Sequence, residues 1–470
     1  MRYFTRTLFG ALLASQALLP AIAQQKPGST PTKPNVLFIV ADDFRDEGGV
    51  FTHAKVKLPN LARLAAHGVR FERAYAQYPV CNPSRSSLLT GLRPEQTGIV
   101  NNTTRLRSLR PDVLTLPQLF KENGWHAEAF GKIFHLGGGT GEGQASGAQW
   151  ADLPKSWHAA TAFSPTKLGQ KNEGRNLTGG ALPWCRWGMA EGGDDDQPDG
   201  QIANAVVNVI QKQGASPWFI GCGFMKPHDP FIAPKKYFDL YPPGSLTLWK
   251  DPVDMTPAPP LALAGGYQQA FDKFTDKERL EFLRAYCATA SYMDAQLGRV
   301  LDALDKGKLW DKTVVVFIGD HGYHTGERQW WNKNTLFERS CRAPLLIAAP
   351  GMAQGKTSRS LVEFVDLFPT VAESCGLKVP MGLAGQSLRP LLTDPARTLK
   401  DAAFTLVTRG QNRYGQSVRT DRWRFTQWSD GTHELYDHDN DPEENRNVAT
   451  QHPKVVAELS AKLKALPPYP

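Results

Sequence analysis

An α/β fold with a large, mixed but mostly parallel sheet flanked by helices is what this sequence predicts, and three observations carry the prediction. Residues 35–40 (Asn-Val-Leu-Phe-Ile-Val), 218–224 and 313–318 (Thr-Val-Val-Val-Phe-Ile) are short apolar runs of the kind formed by strands buried on both faces. Segments with helical spacing of apolar residues separate them, so strand and helix alternate along the chain. After about residue 395 polar and apolar residues begin to alternate, which predicts a small C-terminal α+β subdomain with an antiparallel sheet.

At the start, Arg2 and Arg6, an apolar run over 8–19 and the small-x-small Ala21-Ile22-Ala23 read as a signal peptide over residues 1–23. A flexible leader, 24–33, follows. Cleavage would leave 447 of 470 residues and lower the formal charge from +8 to +6, which suits solubility and is compatible with an anionic substrate. No Lys/Arg run reads as a nucleic-acid patch, and no later apolar run is long enough to span a membrane. The expectation is an exported protein, periplasmic or secreted, with a large domain at 34–395 and the C-terminal subdomain at 396–470.

Residues 59–67 read as a helix closed by Gly68, with Leu61, Leu64 and Ala65 on one face. Residues 69–74 are strand-like, 116–123 helical, and 125–130 a strand that delivers Gly131-Lys132-Ile133-Phe134-His135. Residues 137–190, rich in Gly, Ser, Trp and Pro, read as a long surface insertion without a Gly-x-Gly-x-x-Gly dinucleotide pattern. Helix 202–213 precedes the strand at 218–224, and 251–264 is a Pro-rich loop. Met293, Leu297, Val300, Leu301 and Leu304 mark a long core-facing helix over 279–304. Further expectations are a strand at 344–349, a helix at 361–374, and antiparallel strands at 416–428 and 434–437.

The strands at 35–40 and 313–318 both run into carboxylates: Asp42 and Asp43 after the first, Asp320 and then His321 after the second. Ligands of open α/β sheets collect beyond the carboxyl ends of strands, so these groups could converge on a hard divalent cation. Strand-end Asp residues also serve as turn formers, and that alternative stays open. Lys132 and His135 follow one predicted strand, His228 another, and Lys333 lies just past Asp320, so all could face one rim. The acidic run at 437–442 mimics the opening of an EF-hand but places Pro442 where glycine is required, and it is rejected.

Cys81 opens the stretch Cys81-Asn82-Pro83-Ser84-Arg85, where Pro83 signals a helix start and Arg85 lies a turn on, a place for an anion. A buried inert cysteine is the default alternative. A cysteine phosphatase would need Arg at position 87, which is Ser87 here, and no thiol-protease signature surrounds Cys81. The other five cysteines (Cys185, Cys222, Cys287, Cys341 and Cys375) show no zinc spacing.

The pattern Cys-x-Pro-Ser-Arg-x-x-x-Leu-Thr-Gly over 81–91 resembles the activation signature of the formylglycine-dependent type I sulfatases. Together with Asn35 to Asp43, Gly131 to His135, Lys226-Pro227-His228-Asp229-Pro230, Asp320-His321-Gly322 and Glu434 to Asp437, it is most similar to the iduronate-2-sulfatase branch. That resemblance implies an alkaline-phosphatase-like fold and oxidation of Cys81 to formylglycine (3-oxoalanine) by a maturation enzyme. The aldehyde hydrates to a gem-diol. One hydroxyl attacks sulfur, and the other then expels sulfate, which a plain serine could not do.

It further implies one Ca²⁺ held by Asp42, Asp43, Cys81, Asp320 and His321; the branch has His where many sulfatases have Asn. Arg85 would support the hydrate, Lys132 and Lys333 grip sulfate, His135 deprotonate the diol and His228 assist the leaving oxygen. The implied substrate is a sulfated mono-, oligo- or polysaccharide. Two rivals are a phosphomonoesterase or phosphonate hydrolase on the same scaffold, and a non-catalytic protein binding sulfated glycans through loops bearing Trp184, Trp187, Trp330 and Trp331.

Overall fold

The computed structural model describes Met1 and residues 33–46, 56–136, 151–263 and 268–469, apart from 173, 179, 181, 213, 215 and 411. The expected signal peptide, most of the leader and residues 137–150 of the expected insertion lie outside the described residues. In chain order the first strands are β1 (Asn35–Ala41), β2 (Val69–Tyr75), β3 (His126–Gly131), β4 (Ala159–Thr161), β5 (Arg175–Asn176), β6 (Arg186–Ala190), β7 (Trp218–Phe224) and β8 (Phe231–Pro234). They are followed by β9 (Thr313–Gly319), β10 (Leu345–Ala348), β11 (Lys356–Glu363), β12 (Ala403–Thr408), β13 (Tyr414–Arg419), β14 (Trp423–Trp428) and β15 (His433–Asp437).

The apolar run that becomes β1 pairs parallel with β7 on one edge and β9 on the other, at the middle of an eight-stranded sheet ordered β11-β2-β10-β9-β1-β7-β3-β4. Only β10 runs against its neighbours, which makes the sheet mixed but mostly parallel. Successive side chains of a strand point to opposite faces. Leu37, Ile39 and Ala41 therefore join a core with the helices Pro198–Lys212 and Asp276–Gly307. Val36, Phe38 and Val40 join a second core with the helices Cys81–Thr90, Leu116–Glu122 and Leu367–Ser374. Both faces of the sheet are covered, as such continuous apolar strands require.

Register sets the site. Ala41 lies opposite Gly319 and Phe224, and Gly131 opposite Gly223, so β1, β9, β7 and β3 end at one level. Gly131 has φ +77°, and a Cβ there would meet the Gly223 carbonyl oxygen at 2.2 Å. Glycine at both positions lets the Lys132 turn close onto β7, with the Lys132 N–H donating to the Gly223 oxygen at 2.8 Å.

Beyond Thr398 the chain builds a separate antiparallel sheet, β12-β13-β14-β15. Val418, Phe425 and Leu435 pack with Leu459 and Leu463 of the helix Pro453–Lys464. The small sheet is fastened to the large one by the Thr405 hydroxyl donating to the Ala76 oxygen (2.8 Å) and by the Leu406 N–H donating to Gln77 (2.9 Å). Behind this joint Arg424 is buried between Glu338 and Glu444.

Four expectations change. The helix expected at 361–374 begins only at Leu367, because Leu361, Val362 and Glu363 complete β11 against β2. The strand expected over 416–428 is the hairpin β13–β14, reversed at 420–422. The described part of 137–190 is not mere surface: β4 edges the main sheet, β6 pairs with β8, and Trp157 is fully buried. Trp187, Trp330 and Trp331 are buried as well, so these rings serve the core rather than a glycan-binding surface.

Candidate functional site

The helix that carries Cys81 begins at Cys81 itself, capped by the extended residue Val80, with Pro83 at its third position. Pro83 gives up an N–H that would have no partner in a first turn, so it costs nothing there. Cys81 is fully buried, and its Sγ lies 3.9 Å from Asp43 Oδ1 and 3.2 Å from Lys333 Nζ. Lys333 Nζ also donates to Asp43 Oδ1, and Lys132 Nζ donates to Asp42 Oδ2.

The two strand ends do converge. The Asp320 N–H donates to the Ala41 oxygen at 3.1 Å, and the Asp43 N–H donates to Asp320 Oδ1 at 3.0 Å. Asp43 sits at φ +58°, a left-handed conformation that Asp tolerates better than most residues. Arg85 lies beneath: Nε donates to Asp320 Oδ2 (2.9 Å), Nη2 to Asp42 Oδ1 (3.2 Å), and Nη1 to the carbonyls of Lys132 and Ile133. His228, a quarter exposed, lies 4.0 Å from both Asp42 Oδ2 and Asp43 Oδ2 at the mouth. His135 ends the Lys132 turn and lines a recess with Asn82 and Phe134.

Burial pushes the Asp42 carboxyl up, but the charges of Lys132, His228, Arg85 and Lys333 overcome it and hold Asp42 well below the usual carboxylate range. Burial, with Asp42 adding to it, leaves Asp320 raised despite His321 and Arg85. Burial reinforced by the Lys132 charge lowers His135 to about 2, so it stays neutral. Burial, with Asp42 adding, drives the Cys81 thiol well above its ordinary range despite Lys132 and Lys333. A thiol in that state is a poor nucleophile.

The residues fit a divalent cation. One ligand atom each from Asp42, Asp43, Cys81 and His321 lie within 4.8 Å of one another. Asp43 Oδ2 and His321 Nε2 are buried without a hydrogen-bond partner, a state that costs about 1–3 kcal/mol per group unless something fills it. His321 Nδ1 is 2.9 Å from the Gly322 oxygen and donates to it, which leaves the Nε2 lone pair facing the carboxylates. Asp320 stands outside that foursome: its oxygens are engaged by the Asp43 N–H and Arg85, and Oδ1 is 3.6 Å from His321 Nε2. A second His/Glu group, Glu338, His438 and Glu444, is already satisfied by Arg424.

Several supporting residues carried no sequence signal. Tyr286, on the long helix Asp276–Gly307, donates to the Asp43 oxygen (3.0 Å) and accepts from the Arg45 N–H (3.1 Å), clamping the first strand end. Asp199 accepts the N–H groups of Met225 (2.7 Å) and Lys226 (3.0 Å) and so shapes the turn before His228. Arg409, at the end of β12, donates to the Asn334 carbonyl (2.7 Å) and to Leu261 (2.8 Å) and Ala262 (3.2 Å), strapping the loop that bears Lys333. Ser84 donates to the Asp320 carbonyl, and its place inside the Cys81 motif was the available clue.

Residues 34–377 match the sulfatase family model, and residues 326–467 match the C-terminal model of N-sulphoglucosamine sulphohydrolase. A sulfatase of Formosa agariphila is 34% identical over 451 residues, covering 93% of this chain and 86% of that protein. Iduronate 2-sulfatase of Mus musculus is 32% identical over 412 residues, covering 79% and 74%. The phosphonate monoester hydrolase of Agrobacterium radiobacter superposes with a TM-score of 0.74 over 92% of this chain and 95% of its own, at 23% identity, a likeness of fold alone. With most of its length inside the family model and its strand ends gathered around Cys81, this chain belongs to the sulfatases, sulfuric ester hydrolases of alkaline-phosphatase-like fold, with iduronate-2-sulfatase-like similarity.

Proposed function

We propose that this enzyme hydrolyses O-sulfate esters of an anionic carbohydrate, a uronate- or polysaccharide-derived sugar, with Cys81 converted to formylglycine. The observation that carries the reading is the setting of Cys81: a buried thiol held far from its thiolate, 3.2 Å from Lys333 and beside the Asp42, Asp43 and His321 cluster. Thiol chemistry is poorly served there, whereas an oxygen nucleophile made from the same side chain has cations in place on two sides. A formylglycine at 81 supplies a hydrated aldehyde, whose second hydroxyl allows sulfate to leave. A divalent cation held by Asp42, Asp43, Asp320, His321 and residue 81 supplies charge neutralisation; Ca²⁺ is the ion proposed.

The remaining chemistry belongs to the chain's own groups. Lys132 and Lys333 bracket the position of a sulfate and would hold its oxygens where negative charge builds up. Arg85 touches two carboxylates and fixes their oxygens rather than the substrate. His135, at the end of the Lys132 turn, would take the proton of the nucleophile, and His228 at the mouth would deliver one to the departing sugar oxygen. Export through a signal peptide at 1–23, activation by a formylglycine-generating enzyme, and a catalytic domain at 34–395 with a C-terminal subdomain at 396–470 complete the proposal.

Mass spectrometry of the peptide spanning residue 81, from a host that carries the maturation enzyme, paired with sulfate release from defined sulfated saccharides, tests it. Unmodified cysteine with no sulfate release refutes it. Faster turnover of phosphate or phosphonate esters than of sulfate esters would move the enzyme to the phosphonate hydrolase reading.

A further inference from the structure

Resting on the sulfatase reading, we propose that Asp229 is a positioning residue for departure of the sugar: it holds the His228 ring with Nδ1 turned to itself and Nε2 turned to the carboxylates of the site. The sheet sets up the arrangement. β7 ends at Phe224, level with Ala41 of β1, and β8 begins at Phe231. Residues 225–230 therefore turn across the strand ends at the level where Asp42 and Asp43 leave β1.

Other groups already hold the backbone of that turn. Asp199 accepts the N–H groups of Met225 and Lys226, and the His228 N–H donates to the Met225 oxygen at 3.0 Å. The buried Lys226 Nζ crosses the inside of the turn and donates to the carbonyls of His228 (3.2 Å) and Pro230 (2.7 Å). The Asp229 carboxylate takes part in none of these bonds. It faces the imidazole instead: Oδ1 lies 3.4 Å from His228 Nδ1, on a side chain that is almost entirely buried.

The two ring nitrogens of His228 are made unequal by this neighbour. Nδ1 also donates to the Asp229 carbonyl oxygen, and a carbonyl oxygen can only accept, so Nδ1 carries a proton in every state of the ring. A second proton must go to Nε2, which lies 4.0 Å from Asp42 Oδ2 and from Asp43 Oδ2. As the S–O bond to the sugar breaks, its electron pair stays on the sugar oxygen, the Nε2 proton moves there, and sulfur passes to the nucleophile at 81. The ring is left neutral, its remaining proton on Nδ1 and still facing Asp229. One ligand atom each of Asp43, His228 and Asp229 lie within 4.8 Å of one another, but Lys333 already donates to Asp43, so an ammonium stands where a second cation would.

The test compares the parent enzyme with Asp229→Asn, His228→Gln and the double variant on three substrates. Phenyl sulfate and 4-nitrophenyl sulfate are alike in shape, but only the first has a leaving oxygen in need of a proton; the third is a disaccharide bearing an ester sulfate. In Asp229→Asn the loss of kcat on phenyl sulfate and the disaccharide should exceed the loss on 4-nitrophenyl sulfate by about 10-fold or more, the range for a charge-assisted hydrogen bond. Each ratio is taken within one preparation, so the amount of folded enzyme cancels. The double variant should be no slower than His228→Gln, because the two residues act as one unit. Proton NMR of protein labelled in its histidine ring nitrogens needs no substrate: it should show a downfield Nδ1–H resonance that is absent from His228→Gln and moves upfield in Asp229→Asn. Equal losses on every substrate, losses that multiply in the double variant, or a resonance that is missing or unmoved by Asp229→Asn overturn the proposal while leaving the sulfatase reading in place. A parent enzyme that releases sulfate from none of the three overturns the sulfatase reading instead.

Discussion

Arg85 Nε donates to Asp320 Oδ2 at 2.9 Å with both side chains fully buried, joining the helix of Cys81 to the end of β9, 235 residues further along the chain. The same guanidinium holds Asp42 and two carbonyls of the Lys132 turn. Removing one partner of a buried ion pair strands the other, at a cost of about 3–5 kcal/mol. Arg85→Ala should therefore lower the free energy of unfolding by that amount in urea titrations and abolish turnover. A variant within about 1 kcal/mol of the parent would show that Asp42 and Asp320 do not depend on it.

Lys333 reaches into the site from a loop, so truncating it should leave the fold intact. Lys333→Ala should cut kcat by roughly 10²–10³, the effect of losing one preorganised donor to a developing charge, and should lower the melting temperature because it strands the buried Asp43 carboxylate. Because Arg409 holds the Asn334 carbonyl next door, Arg409→Ala should produce a weaker version, about 5- to 20-fold, through a loosened Lys333. Steady-state kinetics of the two single variants and the double separates these: a double variant no worse than Lys333→Ala places Arg409 upstream of Lys333.

Asp43 Oδ2 and His321 Nε2 have no hydrogen-bond partner where they stand, so an ion that binds both should stabilise the folded protein. Treatment with a chelator should lower the melting temperature and the activity, and Ca²⁺ or Mg²⁺ should restore both. In Asp43→Asn the added ion should shift the melting temperature far less. A melting temperature indifferent to chelation and to added ions in the parent would remove the metal from the proposal.

Asp294 gives a pH dependence with a definite sign. On the helix Asp276–Gly307 its carboxylate accepts the N–H groups of Asn60 (3.0 Å) and Leu61 (2.7 Å) at the start of the helix Pro59–His67. Burial nevertheless outweighs those bonds and raises its pKa from 3.8 to about 6. A raised folded-state pKa means that the folded protein holds the proton more tightly, so this contribution is full below pH 3.8 and is lost as pH climbs through about 6. The difference in unfolding free energy, parent minus Asp294→Asn, should fall by about 2–3 kcal/mol between pH 4 and 7. A flat difference would mean that Asp294 titrates normally.

The central strands were legible because burial on both faces writes itself as unbroken apolar runs, as in 35–40 and 313–318. The convergence of Asp42 with Asp320 followed from both lying just past such runs in a parallel sheet. β11 was hidden because its exposed start, Lys356 to Arg359, is polar and its end, Leu361 to Glu363, continues into apolar helix-like sequence. The β13–β14 hairpin was read as one strand since Thr420-Asp421-Arg422 has neither Gly nor Pro to mark the reversal. Trp330 and Trp331 looked like surface rings because they stand among polar residues, but Trp331 fits edge-on against Phe282 and Trp330 against Phe271. Arg409, Tyr286 and Asp199 act across the fold on other residues' backbone, and such a role leaves no local pattern.

The strap from Arg409 to the Asn334 carbonyl also bears on how such a protein can be taken apart. Every candidate group lies at or before Lys333, so a fragment ending near residue 395 would carry a complete inventory of chemistry. It would lack the fastening that holds its last cation. The small sheet is then no detachable tail: exchanging it between relatives re-tunes a loop it never shares sequence with, and chimaeras joined near that boundary inherit their Lys333 geometry from the donor of the second half.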